Sequence, residues 1–251
     1  MFLKVRKVAT NPPLANVNGA RYHNGRVYAT TNGGSVRAIF SINPLDGSAT
    51  PVVNNFRGRH FNSPNDLTFD RDSNMWFTDP SYGWSQGFPS VQPPELPNSI
   101  YFLDMKSKAL AAVSNSVVTT PNGLVFSPDG SILYVADSNS TAGRPLQHHP
   151  ASVRNVWAFD VSGSIVSNPR LVYATESGWP DGLQVTKNGY LVVAALGGVD
   201  IVDPKSGKLL GKINTPGDII FNLEHGPRQG GQRMWLLTGR DFIYRALIKD
   251  V

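Results

Sequence analysis

From Phe61 to Gly83 the chain reads FNSPNDLTFDRDSNMWFTDPSYG. Pro64-Asn65-Asp66 is a turn, Leu67-Thr68-Phe69 a short alternating strand, Asp72-Ser73-Asn74 a tight connection, and Met75 to Thr78 an apolar, aromatic strand. The same grammar recurs. Val17-Asn18-Gly19-Ala20 leads to Arg26–Thr30, and Pro121-Asn122-Gly123-Leu124 leads to Ile132–Val135. Pro180-Asp181-Gly182-Leu183 leads to Tyr190–Val193, and Pro216-Gly217-Asp218-Ile219 to Met234–Leu237. Most copies add a third strand with a turn, such as Ser99–Leu103 before Asp104, and a fourth, such as Leu110 to Val113. Four strands per repeat at this period are the mark of an all-β propeller; a β-sandwich would not place the same turn at the head of every unit.

Composition agrees. The 251 residues include 24 glycines and 19 prolines and show no long amphipathic helical spacing, which suits short strands joined by turns. The net charge of +5 is scattered and carries no basic stripe with interleaved aromatics, so a nucleic-acid partner is not expected. With no cysteine there is no disulfide, thiolate metal site or thiol nucleophile. No apolar run is long enough to span a membrane, residues 1–9 do not read as a signal peptide, and no compartment is assigned. Two longer insertions, Trp84 to Pro97 and Asn139 to Asn155, leave the ends of second strands and are placed to shape a binding mouth.

The first strand of each propeller blade lines the central channel, so equivalent positions converge there. On the alignment above they are Asn18, Asn65, Asn122, Asp181 and Gly217. Taken singly, Asn-Gly and Asp-Gly are turn chemistry. Taken together, Asn65, Asn122 and Asp181 are hard oxygen donors suited to Ca²⁺ or Mg²⁺. Nothing else in the chain offers a catalytic apparatus: Ser63 and Ser127 lack a nucleophile elbow, and the histidines show no metal-ligand spacing. Trp76, Trp157 and Trp235 lie in apolar strands and read as core.

The motifs resemble the gluconolactonase/regucalcin-like (SGL) family of six-bladed propellers, and its fungal lactonohydrolase branch in particular. The resemblance is carried by Asn54–Asp66, Trp76–Gly83, Pro121–Gly130 and Trp179–Leu183. It implies a divalent cation, usually calcium, held by Asn65, Asn122 and Asp181, and hydrolysis of a sugar-type lactone or similar cyclic ester. The metal would polarise the carbonyl and help activate water, with Asp181 the matching general base. Asp66 is a partner that orients Asn65, and His60, Asn18 and Asp66 are assigned to the substrate. The chain departs from the family in one respect: the Glu-Gly-Pro or Glu-Ala-Pro of a first blade is not found. Residues 1–15 are therefore expected to be a non-matching stub and 16–251 a single propeller, either of five blades or an incomplete six with an exposed edge, with Asp181 the only motif carboxylate and Asp218 a candidate to compensate. The alternative function is a truncated or degenerate propeller that binds a divalent ion or small ligand without turnover.

Overall fold

The computed structural model describes residues 6–113, 115–139, 141–142, 144, 147–149, 151–230 and 232–248. The first sheet is β1 (Val17–His23), β2 (Arg26–Thr31), β3 (Ile39–Ile42) and β4 (Ala49–Val53), in that order and antiparallel throughout. A small hairpin of β5 (Asn55–Phe56) and β6 (Arg59–His60) leads to the second sheet. That sheet comprises β7 (Leu67–Phe69), β8 (Met75–Asp79), β9 (Ser99–Leu103) and β10 (Leu110–Val113). A single-turn helix, α1 (Tyr82–Ser85), follows β8. The third sheet is β11 (Pro121–Phe126), β12 (Ile132–Asp137), β15 (Asn155–Ser162) and β16 (Ile165–Ala174). The two-stranded ribbon β13 (Thr141–Ala142) and β14 (Gln147–His148) belongs to the second insertion.

The fourth sheet departs from the expected count of five separate blades. It has five strands: β17 (Leu183–Val185), β18 (Leu191–Asp203), β19 (Lys208–Gln229), β20 (Gln232–Gly239) and β21 (Ile243–Ile248). β19 pairs with β18 over Lys208–Asn214 and, after a register shift, at Ile219, and with β20 over Ile220–Gln229. One strand thus closes the fourth copy of the repeat and opens the fifth, so five copies occupy four sheets. Gly217, with φ of +80°, lies between the two halves of that strand.

Period-2 alternation packs consecutive sheets against one another. Tyr134 and Ala136 of β12 face Leu183 and Val193 of the fourth sheet, whereas Leu133 and Val135 face Trp76 and Ile100 of the second. Leu191 and Val193 likewise face the third sheet, while Val192 and Ala194 pack with Leu223, Trp235 and Leu237 of the fifth copy. Phe61, Phe77 and Tyr101 form edge-on and stacked pairs between the first and second sheets. Trp76 and Trp235 are fully buried, as expected of core residues, and Trp157 is half-buried against the second cluster. Ahead of β1, Asn11 donates to the Gly47 carbonyl and accepts from the Ala49 amide, and Leu14 packs on the first sheet's cluster. Among the described residues no helix is long and apolar enough to cross a membrane.

Candidate functional site

The inner strands meet at a central channel with two cavities. The larger, about 890 Å³, is bounded by the first and fifth copies; the smaller, about 430 Å³, lies under the helix and the insertions. Six residues line both: Val17, Asn18, Asn65, Asn122, Asp181 and Phe221. The repeat therefore does converge on the axis, and four of the five expected positions are the ones found there.

The fifth is corrected. Gly217 does not line the channel; Phe221 does. Registers show why. Leu67 pairs with Phe77, Leu183 with Val193, and Leu223 with Leu237, so Leu223 is the counterpart of Leu67. The Asn222 side chain accepts from the Leu223 amide at 2.8 Å, as Asp66 does from Leu67 at 2.8 Å. Phe221 is then the equivalent of Asn65 and puts an aromatic ring where the other copies place amides or a carboxylate. Asp218 is not a compensating ligand. Its carboxylate takes the Arg240 and Ile219 amides at 2.9 and 2.7 Å and the Tyr244 hydroxyl at 2.8 Å, which hold it below the usual carboxylate range. It ties the turn after β20 to the fifth copy.

The donor positions are held by main-chain contacts between neighbouring copies. The Asn65 carbonyl accepts from the Gly19 amide at 2.8 Å and the Thr30 hydroxyl at 2.7 Å. The Asn122 carbonyl accepts from the Thr78 hydroxyl at 2.8 Å, and the Phe221 carbonyl from the Gly182 amide at 2.9 Å. Such approach leaves no room for Cβ. A methyl at Gly19 would meet Asn65 and Asp66 backbone, one at Gly123 the Asp181 carbonyl, and one at Gly182 the Asn222 side chain. None of these three glycines has a positive φ, so their role is close packing and not turn chemistry. Two further carboxylates, missed in the sequence, anchor the segments entering the channel. Asp79 accepts the Asn62 and Ser63 amides at 2.9 and 2.7 Å, and Asp137 accepts the Thr119 and Thr120 amides at 3.0 and 2.9 Å. The signal was present: each is the last residue of a second strand, in Phe77-Thr78-Asp79 and Val135-Ala136-Asp137.

Asp181 is the carboxylate at the meeting of the two cavities. Burial pushes its carboxyl up to about 7, and the charge of Asp66 adds to this, against hydrogen bonds from the Trp179 indole, at 3.3 Å, and the Asn122 side chain. Asp66 is raised in the same sense by burial, and its Oδ2 is buried without a partner. The Asn122 amide nitrogen donates to Ser138 at 3.2 Å, while its Oδ1 is buried without a partner. Asn65, Asp66 and Asn122 are buried, whereas Asp181 is partly open to the cavities. The side chain of Arg21 crosses from the first copy to Glu224 of the fifth at 2.8 Å.

His60 is not brought to this site. It lies exposed in β6, beyond a hairpin turn through Arg57 and Gly58 at positive φ, and lines neither cavity. Of the two insertions, the first reaches the cavity, together with Tyr82 of α1, and the second packs beside it. Tyr82, Gln86 and Phe88 line the smaller cavity, the Arg144 guanidinium lies 3.6 Å over the Trp84 ring, and His148 packs near Trp179 at 5.7 Å.

Residues 5–236 match the family described as SMP-30/Gluconolactonase/LRE-like region. This chain belongs to that family. Among SMP-30/gluconolactonase relatives, it is 30% identical over 229 residues to a gluconolactonase of Zymomonas mobilis, covering 87% of this chain and 59% of that protein. It is 29% identical over 229 residues to the lactonohydrolase oryL of Aspergillus oryzae, covering 83% of this chain and 52% of that one. A solved gluconolactonase from Xanthomonas campestris superposes with a TM-score of 0.76 at 32% identity, over 92% of this chain and 72% of that one. The chain thus spans between half and three fifths of the length of those two curated relatives.

Proposed function

We propose that this chain hydrolyses a small lactone bound at the ring of Asn18, Asn65, Asn122 and Asp181. The observation that carries the reading is Asp181: a carboxylate at the meeting point of two cavities, flanked by side-chain amides, with its proton affinity raised towards neutrality. In that state it can accept a proton from water as the water oxygen adds to the ring carbonyl. It can then return the proton to the ring oxygen as the acyl C–O bond breaks, leaving an open-chain hydroxy acid. Asn18 and Asn65 supply amide groups to orient the ring, and the unpartnered Asn122 Oδ1 is an acceptor for a substrate hydroxyl. The membership of the family and the lactone-hydrolysing names of its relatives support this reaction.

The donors also fit a hard divalent cation such as Ca²⁺. Two buried oxygens, Asn122 Oδ1 and Asp66 Oδ2, have no hydrogen-bond partner, and Asp181 lies beside Asn122. Asn65, Asn122 and Asp181 would hold it. When bound, such an ion supplies Lewis-acid polarisation of the carbonyl and favours the ionised form of Asp181. The second reading is ion binding at these same donors without turnover.

One experiment separates these. Hydrolysis of a lactone panel is followed by acid release with calcium, with chelator, and for Asp181→Asn. Loss of turnover in the variant by at least a hundredfold supports the hydrolase. Turnover indifferent to Asp181 refutes it, and a calcium-dependent rise in melting temperature without turnover identifies the binding protein.

A further inference from the structure

Asn122 is gripped twice, by two different copies of the repeat. Its main-chain carbonyl accepts from the Thr78 hydroxyl of the second copy at 2.8 Å. Its side-chain nitrogen donates to Ser138 Oγ of its own copy at 3.2 Å. Ser138 is fully buried just past β12, and its amide donates to the Thr120 carbonyl at 3.0 Å. Its hydroxyl in turn donates to the Pro180 carbonyl, one residue before Asp181. In the first two copies the matching hydroxyl does something else. Thr30 and Thr78 each follow the residue paired with Ala20 or Leu67, and each accepts a main-chain amide of its own inner strand, from Gly19 at 2.9 Å and from Asp66 at 3.1 Å. Each then donates to a carbonyl of the next copy. In the third copy that register position is Ala136, which has no hydroxyl. The hydroxyl comes instead from Ser138, two residues on, and it takes a side chain of the ring where the threonines take backbone.

The polarity of that hydroxyl decides which end of the Asn122 amide it can hold. A carbonyl cannot donate, so the Ser138 hydrogen is committed to Pro180, and what Ser138 offers Asn122 is a lone pair. Only the NH2 end can use it. The amide is thereby fixed with its nitrogen towards Ser138, and its Oδ1, buried and without a partner, is the oxygen left for a ligand. We propose that Ser138 is a positioning residue: it sets the orientation of the Asn122 amide and, through the Pro180 carbonyl, ties that orientation to the main chain that carries Asp181. Its weight in function rests on the reading above, in which Asn122 and Asp181 meet the lactone or a divalent cation. With alanine at position 138 the Asn122 nitrogen and the Pro180 carbonyl both lose this partner, and the amide is free to turn. Groups that orient a ligating side chain in this manner are worth about 10- to 100-fold in metal affinity.

The test compares the natural chain with Ser138→Ala, Ser138→Thr, Asn122→Ala and the double variant of Ser138→Ala with Asn122→Ala, each first shown to melt cooperatively. Ser138→Cys, of nearly the same volume but a weak hydrogen-bonding group, stands in for Ser138→Ala if that variant does not fold. The Asn122 NH2, recognised in a nitrogen–proton correlation spectrum as the pair that Asn122→Ala removes, gives a readout that needs no ligand. Its hydrogen exchange is expected to be slow in the natural chain and in Ser138→Thr, and about tenfold faster in Ser138→Ala. Calcium Kd by calorimetry and lactone KM are expected to rise about 10- to 100-fold in Ser138→Ala and to stay within about twofold in Ser138→Thr. In the Asn122→Ala background, removing the Ser138 hydroxyl should change either by no more than about twofold. If the NH2 is unmoved in Ser138→Ala, or the losses simply add in the double variant, Ser138 acts on packing alone and the assignment is overturned, while hydrolysis by the natural chain stands or falls on its own assay. If the NH2 responds as expected but the natural chain neither binds calcium nor turns over any lactone, the hydrolysis reading fails and the positioning assignment stands.

Discussion

Replacing Asp181 by asparagine removes a titrating group whose folded-state affinity for protons is unusual, and the consequence for stability has a definite sign. Its carboxyl is raised from the ordinary 3.8 to about 7, chiefly by burial and then by the charge of Asp66. A carboxyl raised in the folded state favours folding most when protonated, below the unfolded value, and that contribution is lost as pH climbs through about 7. That rise corresponds to a ceiling of about 4 kcal/mol. Asp181 is partly open to the cavities, so solvent screening reduces this to about 2 kcal/mol. For a chain of this size that is about 4–8 °C in melting temperature. Melting curves between pH 5 and pH 8, in chelator, should therefore show the natural chain losing stability relative to Asp181→Asn as pH rises, with the variant the more stable at pH 8. Asp79, also raised by burial to about 7, and His23 and His225, both lowered by burial, titrate in both proteins and cancel in the difference. Parallel pH profiles, or a variant that melts lower at pH 8, would refute the electrostatic account of this carboxylate.

Two further outcomes follow from packing. Gly123→Ala should destabilise by more than the few tenths of a kcal/mol usual for a surface change, because the new methyl meets the Asp181 carbonyl, and it should lower lactone turnover with it; a variant with natural melting and activity would show that neighbouring copies can separate freely. Trp76→Ala, which empties a fully buried site between the second and third sheets, should cost about 3–5 kcal/mol in denaturant titration, and a loss below 1 kcal/mol would contradict the assignment of that cluster as core.

Much of the fold was legible because its units are written out separately. The turn-strand-turn-strand copies headed by Asn18, Asn65, Asn122 and Asp181 each occur as a recognisable stretch, and all four side chains reach the channel. The fifth copy was misregistered by four residues. Pro216-Gly217-Asp218-Ile219 imitates the repeat's turn, yet it sits within β19 where the fourth copy passes into the fifth. The true position holds Phe221, and an aromatic residue gives no donor signal to align on. The spacing was a usable clue: Leu67 to Phe77 and Leu183 to Val193 are each 10 residues, Leu223 to Leu237 is 14, and Ile219 to Leu237 is 18. The glycines after the donors were ascribed to turns because Asn-Gly is read locally, whereas the close approach of another copy is a long-range fact. His60 was drawn in by its nearness in sequence to Asn65; the β5–β6 hairpin and the buried Phe61 between them turn it outwards.

The hydrogen bonds that join neighbouring inner strands have a consequence for how this protein can vary. Gly19 to Asn65, Thr78 to Asn122 and Gly182 to Phe221 are all contacts in which the accepting atom is a main-chain carbonyl. The aperture on the axis is therefore gauged by main-chain carbonyls, met by the Gly19 and Gly182 amides and the Thr78 hydroxyl, and the outer strands enter only through the cores behind it. Substitutions at the rim of the molecule can accumulate without changing the gauge, while the identity of the side chains that look through the aperture can change without moving its frame. Scaffold and chemistry are in this way free to drift apart, one residue at a time.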